Sequence, residues 1–215
     1  MKRKSFGIAI GLLTAFVLWT LVVCIVDVRP IGPHNSSVGL AGINQFVHNL
    51  TGVNFPLYHI TDWLGLVPIG MCMSFGVLGF IQWIRRKNFC KVDWSILALG
   101  GFYIITFAVY LLFESVVVNY RPVLIAEVLE VSYPSSTTLL TMCVMPTAAM
   151  QLNTRIQNGV LRQCVVLAIM AFTAFMVIGR ILSGVHWITD IIGGALVSAG
   201  LVMLYRFVTE RKGEV

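Results

Sequence analysis

Charge is what this chain has least of. Asp, Glu, Lys and Arg make up only 11% of its 215 residues, against roughly 25% in an average soluble domain. That shortage excludes an ordinary soluble enzyme, a disordered chain and a nucleic-acid-binding module. The five cysteines, Cys24, Cys72, Cys90, Cys143 and Cys164, are scattered. No two have metal-ligand spacing, and an odd scattered set suggests no disulfide framework. Internal repeats and low-complexity segments are also lacking. What is abundant is apolar surface: 58% of residues are hydrophobic and the mean hydropathy is +0.88. The chain reads as one integral membrane domain, 1–215, with little mass outside the bilayer.

Charge-free runs mark the expected spans. They are Ser5–Val26, Trp63–Ile84, Trp94–Phe113, Val131–Thr154, Gln163–Gly179 and Ile191–Tyr205. The last is long enough if its helix starts near Trp187 and includes Asp190. About 20 residues at 1.5 Å each cross a bilayer. The runs lack the alternation of barrel strands, so the expected fold is all-α, a six-transmembrane-helix bundle. Met1-Lys2-Arg3-Lys4 opens like a signal peptide, but the long run and the lack of a cleavage site suggest an uncleaved anchor.

Lysine and arginine set the expected orientation. With the N-terminus cytoplasmic, twelve lie inside: Lys2, Arg3, Lys4, Arg85, Arg86, Lys87, Lys91, Arg155, Arg162, Arg206, Arg211 and Lys212. Three lie outside: Arg29, Arg121 and Arg180. The net charge of +6 therefore reflects topology and anionic inner-leaflet lipid. Both termini are expected in the cytoplasm. In the first outer loop, Leu40, Ile43, Phe46, Val47 and Leu50 recur at helical spacing, which predicts a short amphipathic helix on the outer surface.

Three polar groups fall at that outer face. Arg121-Pro122 follows the third span, Tyr133-Pro134-Ser135-Ser136-Thr137-Thr138 opens the fourth, and Arg180, His186 and Asp190 straddle the last connection. His186 and Asp190, four apart, would share a helix face. Asp190 could then accept the Nδ1 hydrogen of His186 and leave Nε2 free as a nucleophile. Arg121 and Arg180 offer planar forks for phosphate oxygens. Hydroxyls and unpaired N–H groups after Pro134 suit an anion. Alone, an Arg-Pro is usually an interface anchor and a Ser-Thr run a helix cap. An intramembrane Asp is expensive and functional by default.

At these residues the sequence resembles the type 2 phosphatidic acid phosphatase (PAP2) superfamily, in its short bacterial form. The family pattern is Lys-x6-Arg-Pro, then Pro-Ser-Gly-His, then Ser-Arg-x5-His-x3-Asp. Gly179-Arg180, His186 and Asp190 match the third part, with Gly for the leading Ser. Arg121-Pro122 and Pro134-Ser135 keep halves of the other two. Glu114 stands at the Lys position, Ser136 at the Gly and Thr137 at the acid His. The resemblance implies a six-span phosphatase in the cell membrane, with its site at the outer face. It would hydrolyse a lipid phosphate or diphosphate through a phosphohistidine on His186. Polyprenyl diphosphate, phosphatidic acid and phosphatidylglycerophosphate are the substrates implied. Arg121, Arg180, Ser135, Ser136 and Thr137 would hold phosphate, with no metal or cofactor expected.

Thr137 has no proton to give near neutral pH, and a lost general acid costs about 10²–10⁴ in rate. Two expectations address this. Desolvation could make Glu114 the replacement acid, against the alternative that it pairs with Arg121. Or the substrate could be a diphosphate, whose leaving group needs little acid help. Two rival functions remain: a weakly catalytic relative that binds or moves anionic lipids, and a lipid phosphotransferase.

Overall fold

A computed structural model describes residues 2–210, with side chains from Lys4 onward. Of the basic residues assigned above to the inner end, the side chains of Lys2, Arg3, Arg211 and Lys212 lie outside the described residues. The chain forms α1 (Lys2–Ile25), α2 (Ala41–Thr51), α3 (Phe55–Leu64), α4 (Leu66–Arg86), α5 (Trp94–Ser115), α6 (Ser136–Arg155), α7 (Gly159–Leu182) and α8 (Ile188–Glu210). Among the described residues there is no strand beyond three isolated antiparallel bridges. The fold is all-helical.

Among the described residues, five segments are long and apolar enough to cross a membrane: Lys4–Ile25, Phe55–Arg86, Trp94–Ser115, Gly159–Leu182 and Ile188–Glu210. The protein is thus a multi-pass membrane protein. Several helices outrun the charge-free stretches at one end or both. Arg85, Arg86, Arg162, Arg180, Asp190 and Arg206 all sit within helices. Long basic side chains can reach the interface while their backbone stays helical, so counting from charge to charge clips a helix.

Helix α6 is polar, because it occupies the middle of the bundle. Thr138, Thr141, Thr147 and Gln151 are buried on it. It packs against α4, α5, α7 and α8, so its surface meets protein rather than lipid. Thr138 spends its hydroxyl on Ser135 Oγ, and Thr147 and Thr154 spend theirs on carbonyls of the same helix. Thr147 Oγ1 donates to the carbonyl of Cys143 at 2.8 Å, and Ser198 of α8 donates to the carbonyl of Leu139 at 3.2 Å. Helix α1 packs mainly along α8, where Leu13 fills the space a side chain at Gly200 would need.

The basic end of the bundle is tied by ion pairs. Asp93, just before α5, meets Arg86 at 2.8 Å and Arg155 at 3.7 Å. Its carboxyl is held below the usual range chiefly by hydrogen bonds from Arg86 and Gln82, against a burial effect that pushes the other way. At the opposite end, local signals set the helix starts. Asn54 Oδ1 caps α3 through the Leu57 N–H at 3.0 Å. Asp190, in the first turn of α8, accepts from the Trp187 N–H at 3.0 Å, half of a capping box. Helix α2 is anchored through Asn44, whose side-chain amide donates to Thr189 Oγ1 at 3.0 Å. Its Ile43, Phe46 and Leu50 face outward and are exposed.

The turn from α7 to α8 leans on the link between α2 and α3. Gly184 has φ +65°, and a Cβ there would lie 1.8 Å from the Gly52 carbonyl oxygen. Only glycine takes that conformation and approach without strain. Gly184→Ala should destabilise the protein by about 2 kcal/mol or more. Gly76→Ala, in open space on α4, should be neutral; thermal midpoints in detergent compare the two.

Candidate active site

The site forms where the α5–α6 loop, the C-terminus of α7 and the start of α8 converge. The loop is folded back on itself. The Arg121 N–H donates to the Glu130 carbonyl at 3.0 Å, and Ser132 N–H to the Asn119 carbonyl at 2.9 Å. The Trp187 indole N–H pins it to α8 through the Tyr120 carbonyl at 2.7 Å. The Tyr133 hydroxyl and Thr20 of α1 are 2.7 Å apart, and the Tyr133 ring fills the space beside Gly193. Arg121 and Ser132 are thereby held over the end of α8.

His186, Arg121 and Arg180 meet here. Nε2 of His186 lies 3.3 Å from Nη1 of Arg121 and 3.4 Å from Nη2 of Arg180. An arginine can only donate, so Nε2 is an acceptor and the ring proton sits on Nδ1. Arg121 also pairs through Nε with Glu130 at 2.9 Å. Arg180 is only 1% exposed. Its Nη1 donates to Thr61 Oγ1 at 3.3 Å and lies 3.9 Å from Asp62, and its guanidinium sits 5.1 Å from the Tyr58 ring centre. Helix α3 therefore builds half of this arginine's surroundings.

Two sequence expectations need correction. His186 lies in the turn before α8 rather than on the helix, so it and Asp190 share no helical face. Nδ1 of His186 is 3.8 Å from Asp190 Oδ2, too far for a hydrogen bond. Ser132 stands between them, with Oγ 3.1 Å from Nδ1 and its hydroxyl donating to Asp190 Oδ2. Second, the carboxylate paired with Arg121 is Glu130, not Glu114. Glu114 is exposed at the end of α5.

A cavity of about 480 Å³ opens beside this group, lined by Tyr110, Glu114, Arg121, Glu130, Ser136 and His186 among others. Ser136 and Glu114 thus face it. Ser135 does not: it is fully buried, its N–H donates to the Asp190 carbonyl at 3.1 Å, and its Oγ accepts from Thr138 at 3.1 Å. Thr137 lines a second, mainly apolar cavity of about 590 Å³ between α4, α5 and α6. Tyr110, Ser136 and Leu139 line both cavities. Sequence reading missed Ser132, Glu130, Thr61 and Tyr58. Of these, only Ser132 carried a signal, as the hydroxyl beside the Tyr-Pro that opens α6.

Burial pushes the His186 imidazole well below its usual range, and Arg121 and Arg180 push it further; a hydrogen bond with the Ser132 backbone acts the other way. The ring is therefore neutral at neutral pH, as a nucleophile must be. As pH falls through about 6.5, where free imidazole takes up a proton, His186 should stay neutral. ¹⁵N-histidine NMR should show it untitrated there, while an exposed imidazole titrates.

The chain is thus a multi-pass helical bundle whose candidate site sets one imidazole between two arginines. The family description PAP2 superfamily matches residues 69–213, and the chain belongs to that superfamily. Its fold is similar to the crystal structure of a transmembrane PAP2 type phosphatidylglycerolphosphate phosphatase from Bacillus subtilis. The two share 18% identity over 94% of this chain and 96% of that one, with a TM-score of 0.56. A search of curated proteins finds no match.

The family's Ser is Gly179 here. A Cβ at that position would come within 2.7 Å of Thr61 Cγ2, the residue that accepts from Arg180. Glycine makes room for that threonine. Gly179→Ser should push Thr61 off Arg180 and lower kcat/KM, and pairing it with Thr61→Ala should restore part of the loss. Steady-state kinetics on the two single variants and the double variant check this.

Proposed function

We propose that the protein is a lipid phosphate or diphosphate phosphatase acting at the outer face of the membrane. The observation that carries this reading is the neutral Nε2 of His186 lying between Arg121 and Arg180. Both guanidinium groups donate to that nitrogen. An arriving phosphate competes for their N–H groups and frees the lone pair. Nε2 then attacks phosphorus, the N–P bond forms, and the P–O bond to the leaving group breaks with its electron pair going to that oxygen. Arg121 and Arg180 hold the equatorial oxygens, with Ser136 and the first-turn N–H groups of α6 beside them. Positioning and charge neutralisation supply most of the catalysis in such transfers. Water then attacks phosphorus, breaks the N–P bond and releases phosphate.

The adjoining apolar cavity supports a lipid substrate, because the two cavities share walls and a headgroup in one leaves its tail beside the other. The cavity holding His186 offers neither a second imidazole nor a lysine. Glu130 is committed to Arg121, which leaves Glu114 as the carboxyl available at the mouth. That set suits a leaving group that departs without full protonation, so we favour diphosphates such as a polyprenyl diphosphate over phosphatidic acid or phosphatidylglycerophosphate. Helix α6, sheltered by its neighbours, is the sixth span in this reading. The alternation of helix ends then leaves Arg85, Arg86, Lys87, Lys91, Arg155, Arg162 and Arg206 at the cytoplasmic end, opposite the site. Helix α2 lies on the outer surface with Ile43, Phe46 and Leu50 toward lipid.

Phosphate release from a panel of lipid mono- and diphosphates in detergent tests the reading. Wild type should turn over diphosphates best. His186→Ala should fall by at least about 10³-fold, and Arg121→Lys by about 10²-fold through loss of the fork. Glu114→Gln should affect a monophosphate more than a diphosphate. Wild type releasing no phosphate from any lipid, or His186→Ala matching wild type, would refute it.

A further inference from the structure

We propose that Ser132 is the positioning residue through which Asp190 acts on His186: its hydroxyl accepts the imidazole proton and donates its own to the carboxylate. Direct histidine–carboxylate contact is thereby replaced by a three-membered chain. Four observations carry this. The first is the direction of the hydrogen bonds. Both arginines donate to Nε2, so the ring proton is on Nδ1, and the oxygen 3.1 Å from Nδ1 belongs to Ser132. A hydroxyl has one proton and two lone pairs. Accepting from Nδ1 leaves the Ser132 proton for Asp190 Oδ2.

The second observation is that Asp190 is engaged without the histidine. Oδ2 accepts from Ser132 and from the Trp187 N–H at 3.0 Å, while Oδ1 accepts from the Asn119 amide at 3.1 Å. Third, Ser132 is fixed. It is 2% exposed, its N–H is bound to the Asn119 carbonyl at 2.9 Å, and the following Tyr133 is wedged between Thr20 and Gly193. Fourth, His186 sits in the turn before α8, one hydroxyl's reach above Asp190, and that height brings Nε2 level with both guanidinium groups. No proton crosses the chain. Ser132 holds the ring in its Nδ1–H form and passes the field of the carboxylate to it as Nε2 takes on phosphorus.

The catalytic half of this inference rests on the phosphatase reading; the hydrogen-bond half does not. Selectively ¹⁵N-labelled histidine reads the second half directly, because the chain has only four histidines. In the full-length protein in detergent, His186 should give the signature of an Nδ1–H tautomer. Ser132→Ala should shift it toward a mixture, and Ser132→Thr should preserve it. Ser132→Cys, with a weaker donor and acceptor, serves if the alanine variant does not fold. Turnover of a polyprenyl diphosphate reads the first half. Ser132→Ala should lower kcat roughly 10–100-fold with KM little changed, as for other residues that orient a reacting group. Adding Asp190→Asn to it should cost little more. An unchanged tautomer signature and kcat in Ser132→Ala would overturn the proposal, as would a double variant whose loss is the product of the single losses. If the signature shifts as expected but wild type releases no phosphate, the link stands and the phosphatase reading falls.

Discussion

The structure turns on two guanidinium groups held against one uncharged imidazole. Like charges brought together away from water repel, and each must be compensated or desolvation costs several kcal/mol. Here the compensation is divided. Arg121 has Glu130 at 2.9 Å, while Arg180 has Thr61, the face of Tyr58 and the more distant Asp62. The weaker charge balance around Arg180 leaves a fraction of positive field unspent, and His186 stays neutral within it. In the proposed reading such a place takes a polyanion, whose oxygens draw the guanidinium N–H groups and free a nitrogen lone pair.

The bundle serves that arrangement. Helix α6 can be rich in threonine because α4, α5, α7 and α8 shield it, and its start faces the cavity through Ser136. Helix α3 reaches in with Tyr58, Thr61 and Asp62 to engage Arg180. The α5–α6 loop, fastened to α8 through Trp187 and to α1 through Tyr133, carries Arg121 and Ser132. Three sequence-distant segments thus converge on one turn, and Gly184 lets that turn pass against Gly52.

Much of this was legible in the sequence, and the failures have physical causes. The all-helical membrane character followed from continuous apolar runs, because a membrane span must satisfy its backbone internally. Arg180, His186 and Asp190 stood out because polar groups in such runs are costly. The internal geometry of that motif was not legible. A spacing of four suggests a shared helical face only if both residues are helical, and the capping of α8 by Asp190 puts His186 one residue before the helix boundary at Trp187. Tyr58, Thr61 and Glu130 were invisible for a different reason: each acts by meeting a residue far away in sequence, or by folding a loop back, and neither leaves a periodic trace. Ser135 and Thr137 were assigned to phosphate from their place in a motif. One is instead buried at a helix start, and the other turns to the apolar cavity.

The proposed activity depends on a covalent bond between His186 and phosphorus. Rapid acid-free quenching of the enzyme with a ³²P-labelled lipid diphosphate tests it most directly. The account predicts a protein-bound label that is stable to base, lost in acid, formed at the rate of turnover or faster, and lacking in His186→Ala. Full turnover with no such label, or an equal label on His186→Ala, would contradict it.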